Sequence, residues 1–223
     1  MSVKKEASRR RNSNEVAARA IVFGALGFRA SLEVTAHPRS QTLCLQLLPW
    51  LEQLNLGDRI EEFHGEILKT PHQRLSRESQ TEALWRGEAA SLLGWAIELF
   101  DKPDPTVGIE PGLLVSKLRL LQPNAAELIS TARLRPQPEI DDYCAFCLTV
   151  RHHFQSSALD KDGQAALQHL HQTRLAEFGL SEALNRQRKI EIEASQLFSA
   201  APNVRGLYVV RALTSEWLLG KDE

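Results

Sequence analysis

The sequence has little of what usually reveals the class of a protein. Its three cysteines, an odd number in a chain of 223 residues, argue against a disulfide scaffold and for a reducing compartment. No stretch approaches the roughly 18 uninterrupted apolar residues that a membrane span needs. The net charge of -1 gives no global reason to expect nucleic acid or an anionic membrane as a partner. We therefore expect a cytoplasmic protein without a membrane partner, and nucleic acid is the least favoured of the partners considered.

Signatures of catalysis and of cofactor binding are also missing. The chain contains no Gly-x-Gly-x-x-Gly, no P-loop, no Gly-x-Ser-x-Gly elbow and no His-Glu-x-x-His motif. His169 and His171 are two residues apart, which on a helix points them to nearly opposite faces, so we expect both at the surface. We expect no cofactor and assign no catalytic residue, and because no catalytic signature is found we lean against an enzymatic activity.

The stretch "YCAFCLTVRHH", residues 143 to 153, has the spacing of a zinc knuckle only at first sight. On one helix, Cys144 and Cys147 share an apolar face, while His153 points to the opposite side from Cys144. His152 lies about 12 Å from Cys144 along the helix axis. Zinc–ligand bonds of about 2.1 to 2.3 Å cannot gather these side chains. We therefore expect no metal site, with the cysteines in the core and the histidines at or near the surface.

Helical periodicity dominates the chain, and strand signals are sparse. We predict a single all-α domain over residues 14–223, with roughly eight to ten helices around a central apolar helix, and a basic flexible N-terminal arm over residues 1–13. The first helix is predicted from Glu15 to Val34 with Asn14 as its cap, and the central helix over residues 81–100. The tryptophans fall on apolar helical faces and are expected in the core: Trp50, Trp85, Trp95 and Trp217.

Several charged residues fall inside these apolar stripes. Glu88 projects between Trp95 and Leu99 on the predicted central helix, where a lone carboxylate must be paired or take up a proton. Three arginines at the faces or edges of apolar stripes are its candidate partners: Arg19, Arg86 and Arg211. We predict an internal ionic network built on Glu88 and at least one arginine. Its role is either structural, fixing how helices pack, or functional, as a polar pocket for acid–base chemistry or anion binding.

The same residues carry a family resemblance. The segments concerned are "VAARAIVFGALGFRASLE", "WRGEAASLLGWAIEL" with the Pro103-Asp104 turn that follows, "LRPQPEI" and "RALTSEWLLG". In this order they resemble the sequence blocks of a bacterial family, domain of unknown function 4272. Where the family tends to His-Trp-Arg-Leu-Arg, the chain has "TVRHH" and keeps only Arg151; where it tends to Glu-Arg-His, Arg211 stands between Val210 and Ala212. The resemblance implies a mostly helical bacterial protein and carries no assigned activity.

Two functions from different classes fit these observations. The favoured one is a non-catalytic protein-binding module of the adaptor type, because the pattern is all-α and catalytic signatures are missing. The alternative is a small-ligand-binding protein or an enzyme that uses a buried polar pocket around Glu88 and arginines. The residues of the candidate network or pocket are Arg19, Arg86, Glu88, Arg151 and Arg211. The alternative requires a pocket that reaches Glu88, whereas the favoured function requires an exposed apolar or charged groove.

Overall fold

The structure is a computed structural model that describes residues 9–35, 38–157, 159–180, 197 and 205–221. The described part of the chain contains nine α-helices and no strand, so the all-α prediction is confirmed. The helices are α1 (Ser13–Val34), α2 (Ser40–Gln53), α3 (Glu62–Lys69), α4 (Arg77–Ala96), α5 (Pro111–Lys117), α6 (Ala125–Thr131), α7 (Gln137–Ser156), α8 (Lys161–Glu177) and α9 (Arg205–Leu218), with a short 3-10 turn at Gly57–Arg59. None of these helices has the length and apolar character required to cross a membrane.

The chain forms two compact units. The N-terminal unit comprises residues 12–135 and contains α1 to α6. The C-terminal unit combines residues 1–11 with residues 136–223 and contains α7 to α9. The predicted division into an arm over residues 1–13 and one domain over residues 14–223 stays a prediction.

Helix α1 begins with a capping box at Asn12, two residues before the cap that the sequence predicted. The Asn12 side chain accepts a hydrogen bond from the Glu15 backbone N–H at 3.0 Å, and the Glu15 carboxylate accepts one from the Asn12 N–H at 2.8 Å. Asn14 is therefore not the cap. The reason is the spacing: Asn12 has a glutamate three residues later, whereas Asn14 has Ala17.

The two longest helices of the N-terminal unit, α1 and α4, form its main helix pair, and α1 also contacts α2, α3, α5 and α6. The pair crosses at two glycines, because a Cβ atom on Gly27 would lie 2.5 Å from the Gly87 Cα. No side chain fits at that distance, so the two backbones are in direct contact. The central position predicted for residues 81–100 stays a prediction.

Helix α4 is displaced towards the N-terminus relative to its prediction, since it spans Arg77–Ala96 rather than residues 81–100. Ser76 caps it by accepting a hydrogen bond from the Ser79 N–H at 3.0 Å. At the other end Glu98 adopts a φ of 63°, and the Leu99 N–H donates to the Gly94 carbonyl at 2.9 Å. This is a Schellman ending. It was missed because glutamate, and not glycine, occupies the left-handed position.

In the C-terminal unit, α7 packs against both α8 and α9. Arg10 and Arg11, which belong to the predicted flexible arm, contact this unit. Arg10 donates to the Asp141 carboxylate at 2.6 Å, and the Arg11 guanidinium lies 5.0 Å from the centre of the Trp217 ring. Cys144 and Cys147 are buried on α7, as predicted, and burial raises the pKa of the Cys144 thiol.

Candidate functional site

Glu88 lies on α4 and is 7% exposed, so its predicted burial is confirmed. Its Oε1 accepts a hydrogen bond from the Ile109 backbone N–H at 2.5 Å. Gly108 is essential to this contact, because a Cβ atom there would lie 2.6 Å from the same oxygen. Glu88 thus fixes the chain segment that leads into α5. A buried carboxylate that accepts a backbone hydrogen bond is better compensated than a bare one.

A cavity of about 250 Å³ reaches Glu88; we call it the small cavity. It is lined by Gly27, Thr81, Leu84, Trp85, Gly87, Glu88, Ile109, Pro111 and Leu114. Trp85, which was expected in the core, is half-buried here. Part of the wall is formed by Gly27 and Gly87, which have no side chains to fill the space beside the ring. Glu88 therefore lines an open space as well as holding a loop.

A second cavity, of about 610 Å³, lies beside the first; we call it the large cavity. It is lined by Phe63, Arg77, Glu78, Thr81, Glu82 and Trp85, and it shares Thr81 and Trp85 with the small cavity. We call the residues lining both cavities the α4 groove. From Arg77 to Glu88 the helix rises about 16 Å, at roughly 1.5 Å per residue. The groove thus follows three turns of one helix.

Arg19 and Arg86, two of the predicted site residues, are brought together by Phe23. Their guanidinium carbons lie 4.7 and 5.0 Å from the centre of the Phe23 ring, within the range of a cation–π contact. Arg19 also forms an ion pair with Glu61 at 3.4 Å, and Arg86 forms one with Glu82 at 2.7 Å. The prediction that an arginine pairs with Glu88 stays a prediction.

His64 completes this cluster and was not identified from the sequence. It is buried, with its ring edge-on to Phe23 at 5.8 Å between the ring centres. Its Nδ1 lies 3.4 Å from Glu61, and its Nε2 lies 3.9 Å from Glu82. Burial, followed by the Arg86 charge, lowers the pKa of His64. His64 lies three and four residues before the buried Ile67 and Leu68, so the three side chains share one face of α3. This spacing could have predicted that His64 is buried.

Arg29 and Glu33 end the first segment of the family resemblance as an Arg-x-x-x-Glu motif, and they form a second buried cluster in this unit. Arg29 is ion-paired with Glu33 on the same helix, and it donates to the Thr70 carbonyl at 2.8 Å and to the Pro71 carbonyl at 3.3 Å. Glu33 accepts a hydrogen bond from the Gln73 N–H at 3.0 Å. The pair therefore holds the connection between α3 and α4 against the end of α1. The motif has a structural role that its spacing alone did not reveal.

The two remaining predicted site residues belong to the C-terminal unit. Arg151 is buried and donates to Glu216 at 2.9 Å. Glu216, which was not singled out from the sequence, is also contacted by Arg174 at 3.0 Å and by Lys221 at 3.4 Å. Arg211 is buried, as predicted, and its guanidinium carbon lies 5.4 Å from the centre of the Tyr208 ring.

Two histidines near Arg151 are buried, contrary to prediction. The His152 and His171 rings stack at 4.5 Å, with an angle of 6° between their planes. Burial, reinforced by the neighbouring histidines and arginines, lowers the pKa of His171 to about 4. His171 and Leu175 are the buried residues of α8, so its apolar pattern was too sparse to predict which face is buried. His169 is exposed, as predicted. Within the described ranges, no group of three or more potential ligands could hold a metal ion.

The described residues form an all-α fold, and in its N-terminal unit α4 lines two adjoining cavities with acidic and aromatic walls. The chain belongs to the family described as Domain of unknown function (DUF4272), whose sequence model matches residues 2–178. This match includes both the Arg29–Glu33 pair and the Trp85–Glu88 segment, and it ends before α9. No curated protein and no solved structure matches the chain.

Proposed function

We propose that this chain is a non-catalytic protein-binding module of the adaptor type, bacterial and cytoplasmic, and that the α4 groove holds a short segment of its partner. The observation that carries this proposal is the pair of adjoining cavities along one face of α4. Binding surfaces for peptides commonly combine an exposed apolar rim with a few polar groups that fix orientation.

The rim of the α4 groove has this character. Phe63 in the large cavity is 50% exposed, and Leu84 in the small cavity is 44% exposed. Large apolar side chains grouped at a cavity indicate an interaction site more strongly than scattered ones do. The rise of about 16 Å along α4 matches roughly five extended residues, at about 3.3 Å each. One short segment can therefore contact both cavities.

A small ligand is the second candidate, because Glu88 lines the small cavity. A carboxylate in a largely apolar wall favours a ligand with a hydrogen-bond donor or a cationic group. Binding of such a ligand depends on the charge of Glu88, whereas binding of a protein segment also depends on the exposed rim residues Phe63 and Leu84. Glu88→Gln retains an acceptor for the Ile109 N–H and removes the charge, so it tests the first dependence without removing the loop contact.

The test is selection of a random peptide library displayed on phage against the full chain. We expect a recurring peptide pattern, and we expect binding of the selected peptides to be lost in Leu84→Glu. The matched control is Leu45→Glu, which places the same change at a 63% exposed leucine on α2. Absence of any recurring pattern, or equal binding by both variants, would contradict the proposal. Small molecules that bind the wild type but not Glu88→Gln would favour the second candidate.

A further inference from the structure

The large cavity combines the two kinds of group that bind cations. Phe63 on α3 and Trp85 on α4 contribute aromatic rings, and Glu78 and Glu82 contribute carboxylates. A guanidinium or ammonium group is attracted both by the face of an aromatic ring and by a carboxylate. The remaining lining residues are Arg77 and Thr81, so the formal charge of the lining is negative by one.

The carboxylates differ in how far they are already neutralised. Glu82 is ion-paired with Arg86 at 2.7 Å. Glu78 is exposed and forms no ion pair with any residue that the structure describes. Arg77 is the one cation among the lining residues of this cavity. Glu78 is therefore the carboxylate of this cavity that no described residue engages in an ion pair.

The same unit already contains this combination of groups around the Phe23 ring. Arg19 and Arg86 lie over the Phe23 ring while they pair with Glu61 and Glu82. Glu82 belongs both to that cluster and to the lining of the large cavity. A guanidinium in the cavity would repeat, against Trp85 and Glu78, the contacts that Arg86 makes with Phe23 and Glu82.

We propose that the large cavity receives an arginine side chain of the bound segment, with its guanidinium against the aromatic rings and ion-paired with Glu78. This inference rests on the proposed protein-binding function and names the chemistry of the partner. Arginine is favoured over lysine because its planar guanidinium stacks on aromatic faces and pairs with a carboxylate through two parallel hydrogen bonds.

The test uses the full chain labelled with nitrogen-15 and N-acetyl-arginine amide as the probe. The readout is the indole N–H signal of Trp85, assigned by its loss in Trp85→Phe. We expect a saturable shift with the arginine probe, and binding about tenfold weaker with N-acetyl-citrulline amide, which has nearly the same shape but no charge. Glu78→Gln should weaken the arginine probe about fivefold, and Arg77→Gln should strengthen it about twofold. Glu52→Gln, at an exposed glutamate on α2, is the matched control and should leave binding unchanged.

The inference is overturned if the Trp85 signal does not shift, or if citrulline binds as tightly as arginine. It is also overturned, while the proposed function stands, if selected peptides require Leu84 but contain no recurring arginine. If the arginine probe binds and no peptide pattern is selected, the site recognises a free guanidinium compound, and the partner arginine is refuted together with the proposed function. Selected peptides whose arginine is needed for binding to the wild type, but not to Glu78→Gln, would support the inference.

Discussion

The two units neutralise a buried charge in different ways. In the N-terminal unit, Arg29 is fully buried, and its counter-ion Glu33 lies one turn away on the same helix. In the C-terminal unit, the buried Glu216 is contacted by three cations, from α7, from α8 and from the residues after α9. Partners one turn apart are positioned by the helix itself, whereas those of Glu216 require three segments to pack together. The Arg29–Glu33 pair therefore forms within one helix and stabilises the connection between α3 and α4. The ion pairs of Glu216 form only when the helices of the C-terminal unit pack together.

The largest effect is expected from breaking the Arg29–Glu33 pair. Arg29→Met leaves Glu33 buried without its cation and removes the donors to Thr70 and Pro71, so the unit should lose about 4 kcal/mol of stability. The double variant with Glu33→Met should lose less than the two single changes together, because no unpaired charge remains. Guanidinium unfolding followed by the Trp50 and Trp95 indole signals reports on this unit alone. Additive losses would show that the two side chains do not act as a pair.

A smaller loss, about 3 kcal/mol, is expected for Glu216→Gln, because the buried Arg151 then lacks a counter-charge. Arg174 and Lys221 remain 40% and 46% exposed on their side chains and can return to water. Arg174→Gln should accordingly cost below about 1 kcal/mol. The Trp217 indole signal reports on this unit. A loss for Arg174→Gln as large as that for Glu216→Gln would refute the distinction between the buried and exposed cations.

The smallest of the three effects is a pH dependence of the C-terminal unit. The folded-state pKa of His171 is about 4, below its ordinary value of 6.5. Between these two pH values His171 binds a proton in the unfolded chain but not in the folded chain. Stability present above pH 6.5 is therefore lost as the pH falls from 6.5 towards 4. We expect a loss of at most about 2 kcal/mol over this range.

His64 in the N-terminal unit provides the comparison for this pH dependence. Its pKa is lowered too, but Glu61 and Glu82 oppose the shift, whereas the charges that act on His171 all reinforce it. His171→Phe should therefore flatten the loss of stability between pH 6.5 and 4 more than His64→Phe does. The measurement is the guanidinium midpoint of each unit across this range. An unchanged pH profile in His171→Phe would exclude the stacked histidine as its source.

The sequence predicted features that depend on neighbours along one helix. The helical fold and the burial of Glu88 and Arg211 follow from the 3.6-residue period, which places a side chain on a known face. The ends of α4 and the cap of α1 were misplaced by two to four residues, because caps depend on individual hydrogen bonds.

Partners from distant segments could not be predicted in this way. Glu61 lies 42 residues from Arg19, and Glu216 lies 65 residues from Arg151. No periodicity relates such positions, since only the packing of several helices brings them together. The burial of His171 was missed for a related reason: what covers it is on another helix, α7.

The contact between Gly27 and Gly87 has a consequence for recognition. Both glycines line the small cavity, so part of its wall is main chain, whose position does not change when a side chain rotates. The width of the cavity is thus tied to the separation of α1 and α4. A bound segment that pressed against this wall would have to move a whole helix to gain space. The site should consequently select its occupants by steric exclusion rather than adapt to them.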